Sequence, residues 1–362
     1  MKTQAIIGHQ AVRTDLIRSI RSGRLPQVLL VTGDPGVGKQ TLGRWLAQSV
    51  LCSAPAEAPC GLCQPCRLVA GLTHPDFHWF IPIPRPKATD GDKQLDEAAD
   101  AIATAIAARR ASPVYAPAAG LEIHGVASAR LLLKTASMTT VMGGRRVFLV
   151  GEADRLVPQE ASPEAANSLL KFLEEPPAST IVILTTTDVS RVLPTIRSRA
   201  VPIRLGRLSQ AEVEEGLSVL APTLDAAERS RRAAESEGSL GRALHHKAST
   251  QADSNVEQLL TTIRQGGAAR YERVLSQGTF QARGDFTDLL DGLTATFSAA
   301  ARSDLGGSNR PIPSVLRDVA PASRFLDALD RVAAAREAAQ GNVNPQLVLA
   351  TVTAEIAEAL WR

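Results

Sequence analysis

Apolar positions recur along this chain at two periods. Val12, Leu16, Ile17 and Ile20 fall at helical spacing, which predicts an amphipathic helix over Ala11 to Ile20 that ends near Gly23 and Pro26. Strands buried on both faces are read at Val28 to Val31, Arg146 to Val150 and Thr180 to Thr185, where the apolar runs Val28 to Val31, Val147 to Val150 and Ile181 to Leu184 are unbroken. Helical patterns separate them, one through Leu42, Trp45, Leu46 and Val50 and another from Ala165 to Glu175. Strands alternating with helices predict a parallel sheet covered on both faces, which a strand at Val201-Pro202-Ile203 is expected to close. Beyond Arg207 the pattern is helix alone. Ser209 to Leu220 starts on Ser209 as N-cap, Asp225 to Glu237 follows, and Ala- and Leu-rich segments from about Val256 to Arg362 predict a helical bundle without chemistry of its own. The stretch from Pro82 to Pro117 holds five prolines, a charged run and an Ala-rich helix around Ala98 to Ala108, and reads as an exposed insertion that is mostly loop.

A chain of 362 residues is long for a single core and implies two or three domains. Its 40 basic and 37 acidic residues are spread evenly, leaving a formal charge of +3 and no block that would bind nucleic acid by charge alone. Met1-Lys2-Thr3-Gln4-Ala5 offers no apolar core of a signal peptide, and no run approaches the roughly 18 apolar residues of a membrane span, so a soluble cytoplasmic protein is expected.

All four cysteines, Cys52, Cys60, Cys63 and Cys66, lie within one short segment punctuated by Pro55, Pro59, Gly61 and Pro65. Thiolates two residues apart bend round one cation, and four of them make the closed tetrahedral site of structural zinc. Disulfides and an iron-sulfur cluster are the alternatives.

Leu29 to Thr41 reads as a phosphate-binding loop: an apolar strand feeds a glycine-rich turn that opens a helix. Backbone N–H groups of Gly33, Gly36, Val37 and Gly38 would cradle phosphate, with Lys39 as cation and Thr41 following. The position after the lysine, where a hydroxyl normally meets magnesium, is Gln40. At the end of the strand Val147 to Val150 stands Gly151-Glu152-Ala153-Asp154. Glu152 reads equally as a water-activating acid or as a solvated turn residue. Arg197 and Arg199 precede the Val201 strand, and composition alone makes them solvated surface residues.

These pieces, together with Ile6-Ile7-Gly8-His9, Asn167-Ser168-Leu169-Leu170-Lys171-Phe172-Leu173-Glu174-Glu175-Pro176-Pro177 and Thr185-Thr186-Thr187-Asp188, resemble the clamp-loader subunits of bacterial DNA polymerase III, members of the AAA+ group. The resemblance covers residues 5 to 245 by motif and the remainder by helical character only. It implies an α/β AAA+ parallel-sheet core over 1–205 with a zinc module (52–66) and the insertion (82–117), a helical lid over 206–248 and an all-helical collar over 249–362. It implies ATP or ADP on the loop and on Thr186, zinc on the four cysteines, and a hetero-oligomer with gamma/tau and delta subunits that acts on a sliding clamp and primed DNA, away from membranes. Within the group, the motor subunit keeps a hydroxyl at Gln40, an Asp at Gly151 and an arginine at Gly241; three departures at three nucleotide contacts resemble the delta-prime kind, leave magnesium doubtful and imply little or no hydrolysis. Arg242 stands one residue away, about 100° round a helix. Arg199, in Ser198-Arg199-Ala200, then matches the arginine that enters the ATP site of an adjacent gamma/tau subunit, where such a charge raises the rate about 10³- to 10⁵-fold. A hydrolysing gamma/tau-type subunit and a nucleotide-gated DNA-binding protein outside replication are the competing readings.

Overall fold

The computed structural model describes residues 6–54, 58–111, 122–142, 144–156, 164–276, 283–303, 312–319, 321–340 and 344–361. It falls into two compact units that divide between Leu244 and His245.

The first unit is built on a sheet whose described strands, β1 (Val28–Thr32), β2 (Phe77–Phe80), β3 (Arg146–Val150), β4 (Thr180–Thr186) and β5 (Val201–Arg204), are all parallel and lie in the order β2-β3-β4-β1-β5. β1, β3 and β4 occupy the middle and are buried almost throughout, which is why they read as unbroken apolar runs. Their side chains alternate between two cores. Leu29, Val31, Val147, Leu149, Ile181 and Ile183 face one layer with α1 (Gln10–Arg21) and α2 (Lys39–Leu51); Leu30, Phe148, Val150, Val182 and Leu184 face the other. Each fully buried Leu or Phe here contributes about 1.5–3 kcal/mol. β5 lies at the sheet edge beside β1, where Pro202 costs the ladder little.

β2 has no counterpart in the sequence pattern, being four residues long with a histidine at its second position. It follows the short helix α3 (Gln64–Ala70) and forms the other edge. The expectation of a mostly looped insertion over 82–117 is corrected for the residues described: α4 (Gly91–Ala111) is one helix of 21 residues. Its apolar stripe is made of alanines, with Ala98 fully buried and Ala101 and Ile102 packed beside it, so little contrast marks it in the sequence. The end of the insertion, 112–117, lies outside the described residues. α5 (Val126–Ser137) and α6 (Glu164–Glu174) cover the second face through Leu132, Leu169 and Phe172. Buried Arg146 donates to the carbonyls of Thr135, Ala136 and Met138 at 2.7–3.0 Å and so caps the C-terminus of α5.

The one-turn helix α7 (Pro194–Arg197) leads into β5. Three helices then pack through Leu208, Val213, Leu217, Ala233 and Ala243: α8 (Gln210–Leu220), α9 (Ala226–Glu235) and α10 (Leu240–Leu244). Ser209 and Glu212 form a capping box on α8, and the Asp225 carboxylate accepts from Glu228 N on α9.

The second unit is helical: α11 (His246–Gln265), α12 (Gly267–Leu275), α13 (Arg283–Ser303), α14 (Ser323–Gln340) and α15 (Pro345–Trp361) share one core that includes Leu260, Leu293, Phe297, Val332, Leu349 and Ile356. Among the described residues no helix is long and apolar enough to cross a membrane.

Candidate functional site

The phosphate loop runs from the end of β1 to the start of α2. Gly36 and Gly38 adopt φ of 76° and 100°, a region closed to most side chains and the kind of backbone from which anion-binding nests are made. Lys39, the first residue of α2, is buried, and its Nζ donates to the carbonyls of Gly33 (2.8 Å) and Asp34 (2.7 Å). Burial brings its ammonium down to about 8, against the opposing pull of Asp154, Asp34 and Glu152. The loop is clamped from outside. His9 Nε2 lies 2.8 Å from the Val37 carbonyl, and Arg207 Nε donates to the Asp34 carboxylate at 2.7 Å. From the start of α10, Ser239 Oγ donates to the Pro35 carbonyl and Gly241 N to the Gly36 carbonyl, each at 2.9 Å. The backbones of Gly36 and Gly241 come so close that a Cβ on Gly241 would stand 2.7 Å from Gly36 Cα.

The residues expected to contact magnesium offer neither a hydroxyl nor a carboxylate. Gln40 folds across Gly151, so that a Cβ on Gly151 would stand 3.0 Å from the amide Cδ, Oε1 and Nε2. Gln40 Oε1 accepts from Arg109 Nη1 at 2.7 Å. A magnesium ion, which prefers several hard oxygen ligands in near-octahedral order, does not fit this donor set. Behind it, the fully buried His124 places Nε2 2.6 Å from the Gly151 carbonyl. Burial pushes that imidazole down to about 4, so it is neutral and Nε2 carries the proton.

Glu152 sits at φ 54°, with its carboxylate ion-paired to Arg155 Nε at 2.9 Å. Thr186 is buried and donates its hydroxyl to Asp154 Oδ1 at 2.7 Å, while accepting from Asp188 N at 3.0 Å. Thr41 lies in the first turn of α2 and is half-buried.

Cys52 terminates α2, Cys63 caps α3 and Cys66 lies in its first turn, so the ends of two helices bring the sulfurs in. All four Sγ atoms lie within 4.8 Å of one another, with Cys60 to Cys66 and Cys63 to Cys52 at 4.0 Å. A disulfide needs about 2.05 Å. Four thiolates at about 2.3 Å from one ion would be separated by roughly 3.8 Å, so the cluster could hold a single metal. Backbone N–H groups of Cys60 and Cys63 point at Cys52 Sγ and Cys60 Sγ, each at 3.4 Å. Burial disfavours the Cys63 thiolate, yet hydrogen bonds from Ser53 and Cys66 outweigh it and bring the thiol down to about 6.

Arg199 follows α7. Its Nη1 donates to the Thr195 carbonyl at 2.6 Å, and its Nε donates to Glu174 Oε1 at 2.9 Å, with a second, shorter bond from Nη2 to the same oxygen. Glu174 belongs to the Leu173-Glu174-Glu175-Pro176 string at the end of α6.

A family model described as DNA polymerase III, delta subunit, matches residues 8–209. The chain belongs to that family. The DNA polymerase III subunit delta' of Pseudomonas aeruginosa is 31% identical over 173 residues, which cover 48% of this chain and 40% of that protein. The Escherichia coli K12 subunit delta' is 30% identical over 185 residues, 51% of this chain and 43% of the relative. The gamma/tau subunit of Mycobacterium bovis is 30% identical over 203 residues, 55% of this chain and 28% of the relative. The alignments thus span less than half the length of these relatives.

The family match takes in the loop, the cysteines, α4 and Arg199, and ends at Ser209, just before α8. Identity alone does not separate delta' from gamma/tau, so that distinction rests on the site. Arg109 and His124 escaped the sequence pattern because they reach Gln40 and Gly151 from 69 and 27 residues away. The one signal in the sequence was an arginine ending an Ala-rich helix, beside an unexplained Gln in a phosphate loop.

Proposed function

We propose that this family member is a clamp-loader subunit of the delta-prime type, with little or no ATPase activity of its own. One observation carries this: the Gln40 amide lies across Gly151 where a hydroxyl and a carboxylate would have held magnesium. The engagement of Glu152 by Arg155 also weighs against its activating water. In this reading residues 206–248 act as the lid, 249–362 as the oligomerisation collar, and the four cysteines hold structural zinc. The Gly33 to Thr41 cradle keeps the backbone and lysine for ATP or ADP phosphates, while Thr186 acts by anchoring Asp154.

The catalytic contribution goes to a neighbour. Arg199 supplies positive charge in trans to the ATP site of an adjacent gamma/tau subunit, and Glu174 positions it through the paired bonds. Partners are gamma/tau and delta subunits, a sliding clamp and primed DNA. Reconstitution with purified gamma/tau and delta subunits tests the reading. The assembled complex should hydrolyse ATP, and Arg199→Ala should lower that rate at least about tenfold without loss of assembly. Unchanged hydrolysis removes the trans role, and magnesium-dependent turnover by the isolated chain that Lys39→Ala abolishes assigns it to the gamma/tau type.

A further inference from the structure

The four sulfurs of the cysteine cluster differ in their access to solvent. Cys60 is exposed and Cys63 half-buried, while Cys52 and Cys66 are buried. The accessible pair belongs to the turn Cys60-Gly61-Leu62-Cys63, where Gly61 takes φ 71° and Leu62 is 81% exposed, so water and small solutes reach this side of the cluster. The buried pair is anchored on helices. Cys52 follows the last turn of α2, and Cys66 lies in α3, where Gln48 Nε2 from α2 donates to its carbonyl at 2.9 Å. Across this divide each accessible sulfur has a buried one 4.0 Å away, Cys60 facing Cys66 and Cys63 facing Cys52. Four cysteines allow three pairings, and the one along these contacts puts one accessible sulfur in each pair. Closing by about 2 Å brings either pair to disulfide length. A partly exposed thiolate beside a second sulfur is also the setting in which cysteines oxidise reversibly.

We propose that this cluster is a hydroperoxide-responsive site: two hydrogen peroxides convert it to the disulfides Cys60 to Cys66 and Cys52 to Cys63, and a dithiol returns it to the four-thiolate form. This rests on the reading of the cluster as a zinc site. The Cys60 thiolate attacks one peroxide oxygen, so that an S–O bond forms as the O–O bond breaks and hydroxide leaves. The Cys66 thiolate then attacks the Cys60 sulfur, and the S–S bond forms as a second hydroxide departs. Cys63 and Cys52 repeat the sequence with the second peroxide. Four thiolates and two peroxides thus give two disulfides and four hydroxides, each thiolate pair surrendering two electrons to one peroxide. The oxidised form presents no thiolate to a cation, so oxidation and metal binding exclude each other.

The test treats the full chain, reduced and loaded with zinc, with hydrogen peroxide. Released zinc is followed with a chromogenic chelator, and the sulfur products are mapped by alkylation, proteolysis and mass spectrometry. About one zinc should leave for every two peroxides consumed. The link between Cys60 and Cys66 should predominate when peroxide is limiting, because Cys60 is the more exposed of the accessible pair. Dithiothreitol with added zinc should then restore the metal content and the thermal melt of the untreated chain. Retention of zinc and four thiols in excess peroxide overturns the proposal, as does a dominant disulfide between Cys60 and Cys63, or sulfinic and sulfonic products at two equivalents that the dithiol does not reverse. A reduced chain that takes up no zinc removes the zinc reading instead, and the disulfide map of that same chain still decides the pairing.

Discussion

The first unit contains two places where a cation is expected, and they have opposite fates. At Cys52, Cys60, Cys63 and Cys66 four like donors converge within 4.8 Å. At the phosphate loop the ligand positions carry Gln40 and Gly151, and a side chain from α4 has closed over them. Metal capacity is thus set by the chemistry and convergence of donors, while the surrounding fold, with its strand, loop and helix, can be preserved either way.

The sharpest way to break this contrast is to make the cysteine site resemble the loop. On the zinc reading, Cys66→Ser should abolish metal binding and destabilise the first unit by about 3 kcal/mol or more, roughly 6–12 °C in a melt; metal analysis beside calorimetry checks it, and a variant that melts like the natural chain would make the cluster dispensable. The converse is to push the loop toward a metal site. Gly151→Asp introduces a side chain into the space of the Gln40 amide and should cost about 1–3 kcal/mol, with Gln40→Ser in the same chain recovering most of it; denaturant unfolding of single and double variants measures the coupling.

A smaller effect concerns the cation that the loop has kept. Burial brings the Lys39 ammonium down to about 8, and a phosphate bound at the loop would hold the protonated form, so above pH 8 its binding would take up a proton. Nucleotide affinity should therefore be level below that pH and fall as the pH rises through it, by at most about tenfold per unit; calorimetric titrations from pH 7 to 9 would detect it, and a flat profile would place Lys39 elsewhere. Smallest of all, Arg199→Ala should change stability by no more than about 1 kcal/mol, since its partner Glu174 is 46% exposed. A larger loss in thermal unfolding would make Arg199 part of the scaffold instead of a group held out for a neighbour.

The same contrast explains what could be read from the chain. β1, β3 and β4 were visible because burial on both faces leaves unbroken apolar runs, and Ser209 was visible as a cap because capping is chemistry within one turn. The cysteine cluster was equally local, all four residues lying between Cys52 and Cys66. β2 was hidden by its length and its histidine, while α4 was legible only as a helix around Ala98 to Ala108, its full extent from Gly91 lost in a stripe with no strong apolar face. The pairing of Arg109 with Gln40 could not be read at all. It requires α4 to be folded back beside α2, and a departure such as Gln40 announces only that something has changed there, not which side chain has answered it.

Gly241 bears on the history of the chain. A side chain at that position would run into Gly36 before reaching any phosphate, and one at Gly151 would meet the Gln40 amide. At Gly241 the first step back would press a side chain against the Gly36 backbone, while at Gly151 it would displace the end of the Gln40 side chain. The loop and the start of α10 pack backbone against backbone, and under the delta-prime reading that contact would act as a ratchet against regaining an arginine at Gly241.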